Sequence, residues 1–148
     1  QEDMSLALRG LHTLPLRMKK NAENANIVMK WLRERSEVER ILSPVMEDHP
    51  GHDIWERDFN GANGLFSFLL EPATKEAVHA FVNALELFPI GSSWGGFESL
   101  MQPQYLKNCR TANPWDEEGA LLRLQVGFED PDDLIADLEQ AFDVFDRS

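Results

Sequence analysis

Apolar side chains recur every three or four positions over the first forty residues, the spacing of one face of an α-helix. They form two successive stripes: Met4, Ala7, Leu8, Leu11 and Leu14, then Ala22, Ala25, Met29 and Leu32. Pro15 lies between the stripes and has no backbone N–H to donate, so we expect a kink or a short break there. A long helix at the start of a chain often spans a domain junction. Residues 1–40 are therefore predicted to be an interdomain helical segment.

Beyond Arg40 the pattern changes to short apolar runs separated by turn residues. Strands are predicted at Val38–Leu42, Leu65–Leu70 and Leu121–Phe128, and helices at Lys75–Leu87, with Thr74 as N-cap, and after Asp130. The stretches 47–64 and 101–115 contain turn signals and polar residues, which predict loops. Three or four short strands interleaved with helices predict a two-layer α/β domain over residues 41–148, with helices on one sheet face.

Composition and charge narrow the class of protein. The 148 residues include 14 basic and 26 acidic side chains, and the net charge of −12 opposes contact with the phosphates of nucleic acid. No apolar run approaches the roughly 20 residues needed to cross a bilayer, so no membrane contact is expected. The single Cys109 cannot form an internal disulfide, which fits a reducing, cytoplasmic location.

Eight of the acids lie between residues 129 and 146, in the last predicted helix and directly before it. Apolar residues keep helical spacing among them: Leu134, Leu138, Ala141, Phe142 and Phe145. The acids are therefore interpreted as the solvated face of an amphipathic helix rather than as a metal-binding tail.

Arg123 is the sharpest candidate for chemistry. Strand periodicity places it between two leucines on the face opposite Leu122 and Leu124. A lone arginine in such a strand is costly to bury without an anion, and its planar fork suits a carboxylate. The alternative is an arginine that reaches solvent or pairs with an acid on a neighbouring element.

The segment Ser92-Ser93-Trp94-Gly95-Gly96 is the second candidate. Paired glycines let a ligand approach the main chain, and a serine hydroxyl beside an indole can orient a small polar molecule. The alternative is a tight turn whose tryptophan packs on the core. His49 and His52 are spaced like metal ligands, but the Pro-Gly between them favours an ordinary turn. No metal site is predicted.

Together these segments resemble the C-terminal domain of the pyridoxal-phosphate (PLP) enzymes of cysteine and methionine metabolism, which have fold type I. The resemblance runs nearly end to end, through RGLHTLPLRM (9–18), HPGH (49–52), GLFSFLL (64–70), SSWGGFESL (92–100) and LLRLQVGFED (121–130). It implies a short, mainly antiparallel sheet with helices on one face, preceded by a long helix. It also implies roles for three residues: Arg123 holds the substrate α-carboxylate, Ser93 helps to bind it, and Trp94 lines the substrate pocket.

Trp94 also bears on the reaction. Within the family, bacterial cystathionine β-lyases typically carry Ser-Trp-Gly-Gly here, whereas the γ-type enzymes carry Ser-Leu-Gly-Gly and then a His-Pro-Ala-type segment. This chain continues instead as Met101-Gln102-Pro103-Gln104. The resemblance therefore implies a carbon–sulfur lyase of methionine biosynthesis, converting cystathionine and water to homocysteine, pyruvate and ammonia. A cystathionine γ-lyase or γ-synthase is the alternative.

The family binds PLP through a Schiff-base lysine, an aspartate and a stacked tyrosine in a larger domain, which would precede residue 1. The lysines here stand in polar helical or loop contexts, and Tyr105 lies in the wrong segment. No catalytic or cofactor-binding residue is therefore expected in this chain, which would be inactive alone. The complete enzyme would hold PLP and form a homotetramer. A self-standing carboxylate-binding or interaction module is the second alternative, but the absence of an initiating methionine favours a fragment.

Overall fold

Eight elements build the fold, which a computed structural model describes for residues 2–107 and 109–145. In chain order they are α1 (Glu2–Arg33), β1 (Val38–Leu42), α2 (His52–Asp58), β2 (Leu65–Leu70), α3 (Lys75–Ala84), β3 (Leu100–Gln104), β4 (Leu121–Gln125) and α4 (Pro131–Phe145). The strands form one sheet in the order β1-β2-β4-β3, and every neighbouring pair is antiparallel. The predicted α/β class is confirmed.

One sheet face carries the core. Alternate residues of the central strands point to it, so Phe66 and Phe68 of β2 lie opposite Leu124 and Leu122 of β4, and all four are buried. The second half of α1, together with α3 and α4, covers this face. Between α3 and α4, the rings of Phe81 and Phe142 approach to 4.6 Å between centroids. The opposite sheet face, which carries Arg123, therefore has no helix layer from these elements.

The two apolar stripes of α1 have different surroundings. Ala25, Met29 and Leu32 are buried in the core, whereas in the first stripe Leu8 and Leu11 are more than half exposed. The helix continues through Pro15, so the short break that the sequence offered as one possibility does not occur. The other possibility, a kink at Pro15, stays a prediction. It also ends at Arg33, earlier than the predicted residue 40, because the chain turns and enters β1 at Val38. Among the described residues, no helix is both long and apolar enough to cross a membrane.

Two elements escape the sequence prediction. The short helix α2 lies in the stretch predicted to be loop, and β3 in the stretch taken for a polar loop. Pro103 and the glutamines on either side of it hide β3 from sequence reasoning. It is an edge strand, where a proline costs no central ladder hydrogen bond. Strand β4 ends at Gln125 rather than at Phe128.

Helices α3 and α4 both form where the sequence predicts helices. Thr74 caps α3 as predicted, accepting a hydrogen bond from the Ala77 N–H at 3.1 Å. The helix ends at Ala84 instead of Leu87, because the Asp137 carboxylate of α4 accepts the N–H groups of Glu86 and Leu87 at 2.9 and 2.8 Å. The acidic helix forms as α4, and Asp146 of its predicted acidic face lies outside the described residues.

Candidate functional site

Arg123 lies at the middle of β4 and is partly buried. Its Nη2 donates a hydrogen bond to the main-chain oxygen of Ser92 at 2.8 Å. Within residues 2–107 and 109–145, no acid lies within salt-bridge distance of its guanidinium. The described residues therefore do not support the alternative in which Arg123 pairs with an acid on a neighbouring element. The guanidinium keeps its charge and most of its donors available for an anion.

The Ser92–Gly96 loop lies against the end of β4. Besides the contact with Arg123, the Gly95 N–H donates to Oε1 of the buried Gln125 at 2.9 Å. Gly95 has φ +74°, a left-handed conformation that favours glycine. The Trp94 side chain is 63% exposed, so it does not pack on the core as the alternative for this loop required. Ser93 is exposed as well, and both residues directly follow Ser92, whose main-chain oxygen contacts Arg123.

Two buried asparagines of α1 hold this region in place. Asn21 Nδ2 donates to the carbonyl oxygens of Val126 at 2.6 Å and Gly96 at 3.1 Å, and so joins the loop to the end of β4. Asn24 Nδ2 donates to the carbonyl oxygens of Gly127 and Glu129 at 3.0 and 2.9 Å. Sequence reasoning missed both residues. The available signal was two amides, three residues apart, on the stripe of α1 that also carries Ala25 and Val28.

A second polar link fixes the far end of the loop. The Glu129 carboxylate accepts the N–H of Ser99 and its Oγ–H, both at 2.8 Å, and the same Oγ accepts the Gly127 N–H at 2.9 Å. A Cβ on Gly127 would lie 2.1 Å from the Phe97 carbonyl oxygen, so only glycine fits this approach. Glu129 and the buried Asp137 are therefore structural acceptors, which corrects the interpretation of all eight acids as a solvated face.

The other candidates have ordinary surroundings. His49 Nδ1 accepts the Gly51 N–H at 3.0 Å, and His52 Nδ1 lies 2.9 Å from the Pro44 carbonyl oxygen, as in a turn. His12 and His79 are exposed on α1 and α3. In the part of the chain that the structure describes, no group of three or more His, Cys, Asp or Glu side chains is arranged to hold a metal ion.

The lysines do not fit covalent attachment of PLP. All five are exposed: Lys19, Lys20, Lys30, Lys75 and Lys107. A lysine that forms a Schiff base is activated by a desolvated pocket or by a neighbouring cation, and exposed surface positions supply no such pocket. Tyr105 is also 70% exposed. The residues present can therefore bind and orient a carboxylate, but they do not form the cofactor site.

A cavity of about 540 Å³ lies at the opposite end of β4, between α3, the end of β3 and the loop that leads to Gly119. Trp115, Tyr105 and His79 line it, but Arg123, Ser93 and Trp94 do not. The candidate carboxylate site is thus an open surface at the sheet end rather than an enclosed pocket. The structure therefore defines an α/β domain with a partly buried arginine and an exposed tryptophan near one end of its sheet.

Residues 1–143 match the family model described as Cys/Met metabolism PLP-dependent enzyme. The chain belongs to that family. It is 46% identical over 143 residues to a cystathionine β-lyase of Bordetella avium, covering 96% of this chain and 36% of that protein. It is 40% identical to an L-alanine/L-glutamate racemase of Wolbachia pipientis wMel, covering 94% of this chain and 35% of that protein.

Among solved structures, a cystathionine γ-synthase of Xanthomonas oryzae pv. oryzae has the same fold, with a TM-score of 0.84 and 33% identity over 96% of this chain and 38% of that one. The chain thus spans little more than a third of the length of the proteins it matches. The family is PLP-dependent, and because this chain covers so little of its relatives, it is not expected to bind the cofactor alone.

Proposed function

We propose that this chain is the C-terminal, substrate-binding domain of a PLP-dependent cystathionine β-lyase. The complete enzyme would convert cystathionine and water to homocysteine, pyruvate and ammonia, a step of methionine biosynthesis. The observation that carries the proposal is Arg123, a partly buried arginine with no acid partner among the described residues. It lies beside a Ser-Trp-Gly-Gly loop, in a chain that is 46% identical to a protein named as a cystathionine β-lyase.

Arg123 would bind the substrate α-carboxylate with the parallel donors of its guanidinium. In the free chain one of these donors is occupied by the neutral carbonyl oxygen of Ser92, at 2.8 Å. A carboxylate makes a stronger, charge-assisted bond and can accept two parallel N–H groups, so it would displace that contact. Ser93 would donate its hydroxyl to the same carboxylate. This fixes the orientation of the α-carbon relative to catalytic groups outside this chain, which is a positioning effect.

Trp94 supports the β-lyase over the alternatives. Its indole is exposed beside the site and offers an apolar wall for the thioether chain of the substrate. The γ-type enzymes remain the alternative, since a cystathionine γ-synthase shares the fold. A self-standing carboxylate-binding module is the alternative of a different class.

The rest of the proposed enzyme would pack against two surfaces of this chain. The first stripe of α1 is a largely exposed apolar surface, with Leu8 and Leu11 at 57% and 58% exposure. A PLP-binding domain would cover this stripe and the helix-free sheet face, and a homotetramer would complete the assembly. In this proposal the chain alone is inactive.

Product analysis tests the proposal. The full-length product of the gene is incubated with PLP and cystathionine, and this 148-residue chain is treated identically alongside. Pyruvate and homocysteine from the long form alone are expected. Formation of 2-oxobutyrate would favour the γ-type alternative. No product from either form would favour a binding module and refute the lyase.

A further inference from the structure

Gln102 carries a buried amide oxygen, Oε1, that has no hydrogen-bond partner among the described residues. Strand β3 places Gln102 directly opposite Arg123, and Ser67 of β2 lies opposite Arg123 on its other side. A row of three polar side chains therefore crosses the sheet on the face away from the core. Directly opposed side chains of antiparallel strands have Cβ atoms roughly 5 Å apart, so the Gln102 amide is within reach of the Arg123 guanidinium.

Both side chains have unused hydrogen-bonding capacity. A guanidinium has five N–H donors, and in the described part of the chain Arg123 uses one of its own, to the Ser92 oxygen. Gln102 offers an acceptor with no donor. A buried acceptor without a donor destabilises a fold, so such a group in a native protein calls for an explanation, and a functional role is one. The neighbour that can supply a donor across the ladder is Arg123.

We propose that Gln102 is a positioning residue for Arg123. When Arg123 turns from the Ser92 oxygen to a carboxylate, Gln102 Oε1 accepts one N–H at the other edge of the guanidinium. Because the five donors lie in one rigid plane, a bond at one edge fixes the plane in which the opposite edge presents its two parallel donors. This inference rests on the proposed function, in which Arg123 binds the substrate carboxylate. Gln102 acts through Arg123.

Comparison of Gln102→Met with Gln104→Met in the complete enzyme tests the inference. Methionine has a similar length and volume but no amide. Gln104 is a matched control, since it lies on the same strand and face, opposite Leu121, and among the described residues its side chain hydrogen-bonds only to the Gln102 main-chain oxygen, at 3.4 Å. We expect Gln102→Met to raise KM about tenfold with little change in kcat, the effect of losing one hydrogen bond to a charged group. Equal KM values for the two variants would overturn the inference.

A double-mutant cycle separates positioning from a structural role. In an Arg123→Lys background the Gln102→Met change is expected to cause no further rise in KM, because the interaction is already lost. The same rise in both backgrounds would show that Gln102 acts independently of Arg123.

A readout without turnover keeps this inference distinct from the lyase proposal. This chain, labelled with ¹⁵N, is titrated with acetate while the side-chain signals of Gln102 and Arg123 are followed by NMR. Movement of both signals supports the inference, and it would do so even if the complete protein proved not to be a lyase. Movement of Arg123 alone, or of neither, would overturn it.

Discussion

At the scale of single residues, the proposed function requires the shape of the Arg123 guanidinium as well as its charge. Arg123→Lys keeps the positive charge but loses the planar fork. We expect kcat/KM of the complete enzyme for cystathionine to fall at least tenfold, since each charge-assisted hydrogen bond contributes roughly 1.5–3 kcal/mol. The absorbance of bound PLP should not change. Steady-state kinetics and an absorption spectrum of the same preparation measure both.

Arg40→Lys is the matched control for that substitution. Arg40 lies on β1 of the same sheet, but its guanidinium is paired with Glu117 and Glu39, so it has acids in place of a ligand. The control should leave kcat/KM close to that of the wild type. Unchanged kinetics in Arg123→Lys would remove Arg123 from the substrate site.

A second residue-scale prediction concerns the buried carboxylate of Glu37. Burial alone would raise its pKa, but hydrogen bonds from Arg35 at 2.6 Å and Ser36 at 3.0 Å, with the Arg35 charge, hold the pKa below the ordinary 4.5. The folded-state pKa lies below that of the unfolded chain, so the stabilisation is present above about 4.5 and is lost as the pH falls through the folded-state value. Glu37→Gln should therefore lower the free energy of unfolding near pH 7 by about 1 kcal/mol or more.

Urea denaturation near neutral pH and near pH 3 measures the effect of Glu37→Gln. The difference from the wild type should shrink as the pH falls below about 4.5, because the unfolded wild-type chain then takes up a proton more readily than the folded carboxylate does. Glu39 lies two residues further on and is exposed, so Glu39→Gln should change the free energy of unfolding little at either pH. A Glu37→Gln effect of the same size at both pH values would argue against the hydrogen-bonded carboxylate as its source.

At the scale of elements, α1 does more than cover the sheet, because its buried face also holds the Ser92–Gly96 loop through Asn21. Asn21→Ala removes the donor shared by Gly96 and Val126. We expect a loss of about 1–3 kcal/mol in the free energy of unfolding, the cost of leaving buried carbonyl groups without a donor. Amide hydrogens of the 92–97 loop should also exchange faster with solvent. Urea denaturation and hydrogen-exchange mass spectrometry of this chain measure the two effects.

Asn26→Ala on the same helix is the control that separates the loss of the Asn21 hydrogen bonds from a change in helix propensity. Asn26 is partly buried, and its side chain makes no hydrogen bond to a described residue. The gain in helix propensity from asparagine to alanine is the same as at Asn21. It should be neutral or slightly stabilising. Equal exchange rates in the loop of both variants would mean that Asn21 does not order it.

The elements also show what sequence reasoning could reach. Strands β2 and β4 were predicted because runs of buried apolar residues are a local signal, and Arg123 stood out as the single charge in such a run. Asn21 was missed because its partners Gly96 and Val126 lie 75 and 105 residues away, so nothing near it in the sequence shows its role. Edge strand β3 is specified by pairing with β4 rather than by its own pattern, which Pro103 and two glutamines interrupt.

At the scale of the whole molecule, the first half of α1 is an exposed apolar surface, which in the proposed function packs against the rest of the longer protein. Leu8 and Leu11 are 57% and 58% exposed here, so Leu8→Gln/Leu11→Gln should leave the unfolding free energy of this chain nearly unchanged. In the complete protein the same pair should lower it by several kcal/mol, since fully burying a leucine stabilises by roughly 1.5–3 kcal/mol. Leu6→Gln/Leu16→Gln is the control, because these two leucines are 58% and 71% exposed and lie off the stripe. Urea denaturation of both double variants, in this chain and in the complete protein, measures these changes in the free energy of unfolding. If the complete protein loses stability equally with either pair, the stripe is not where the rest of the enzyme packs.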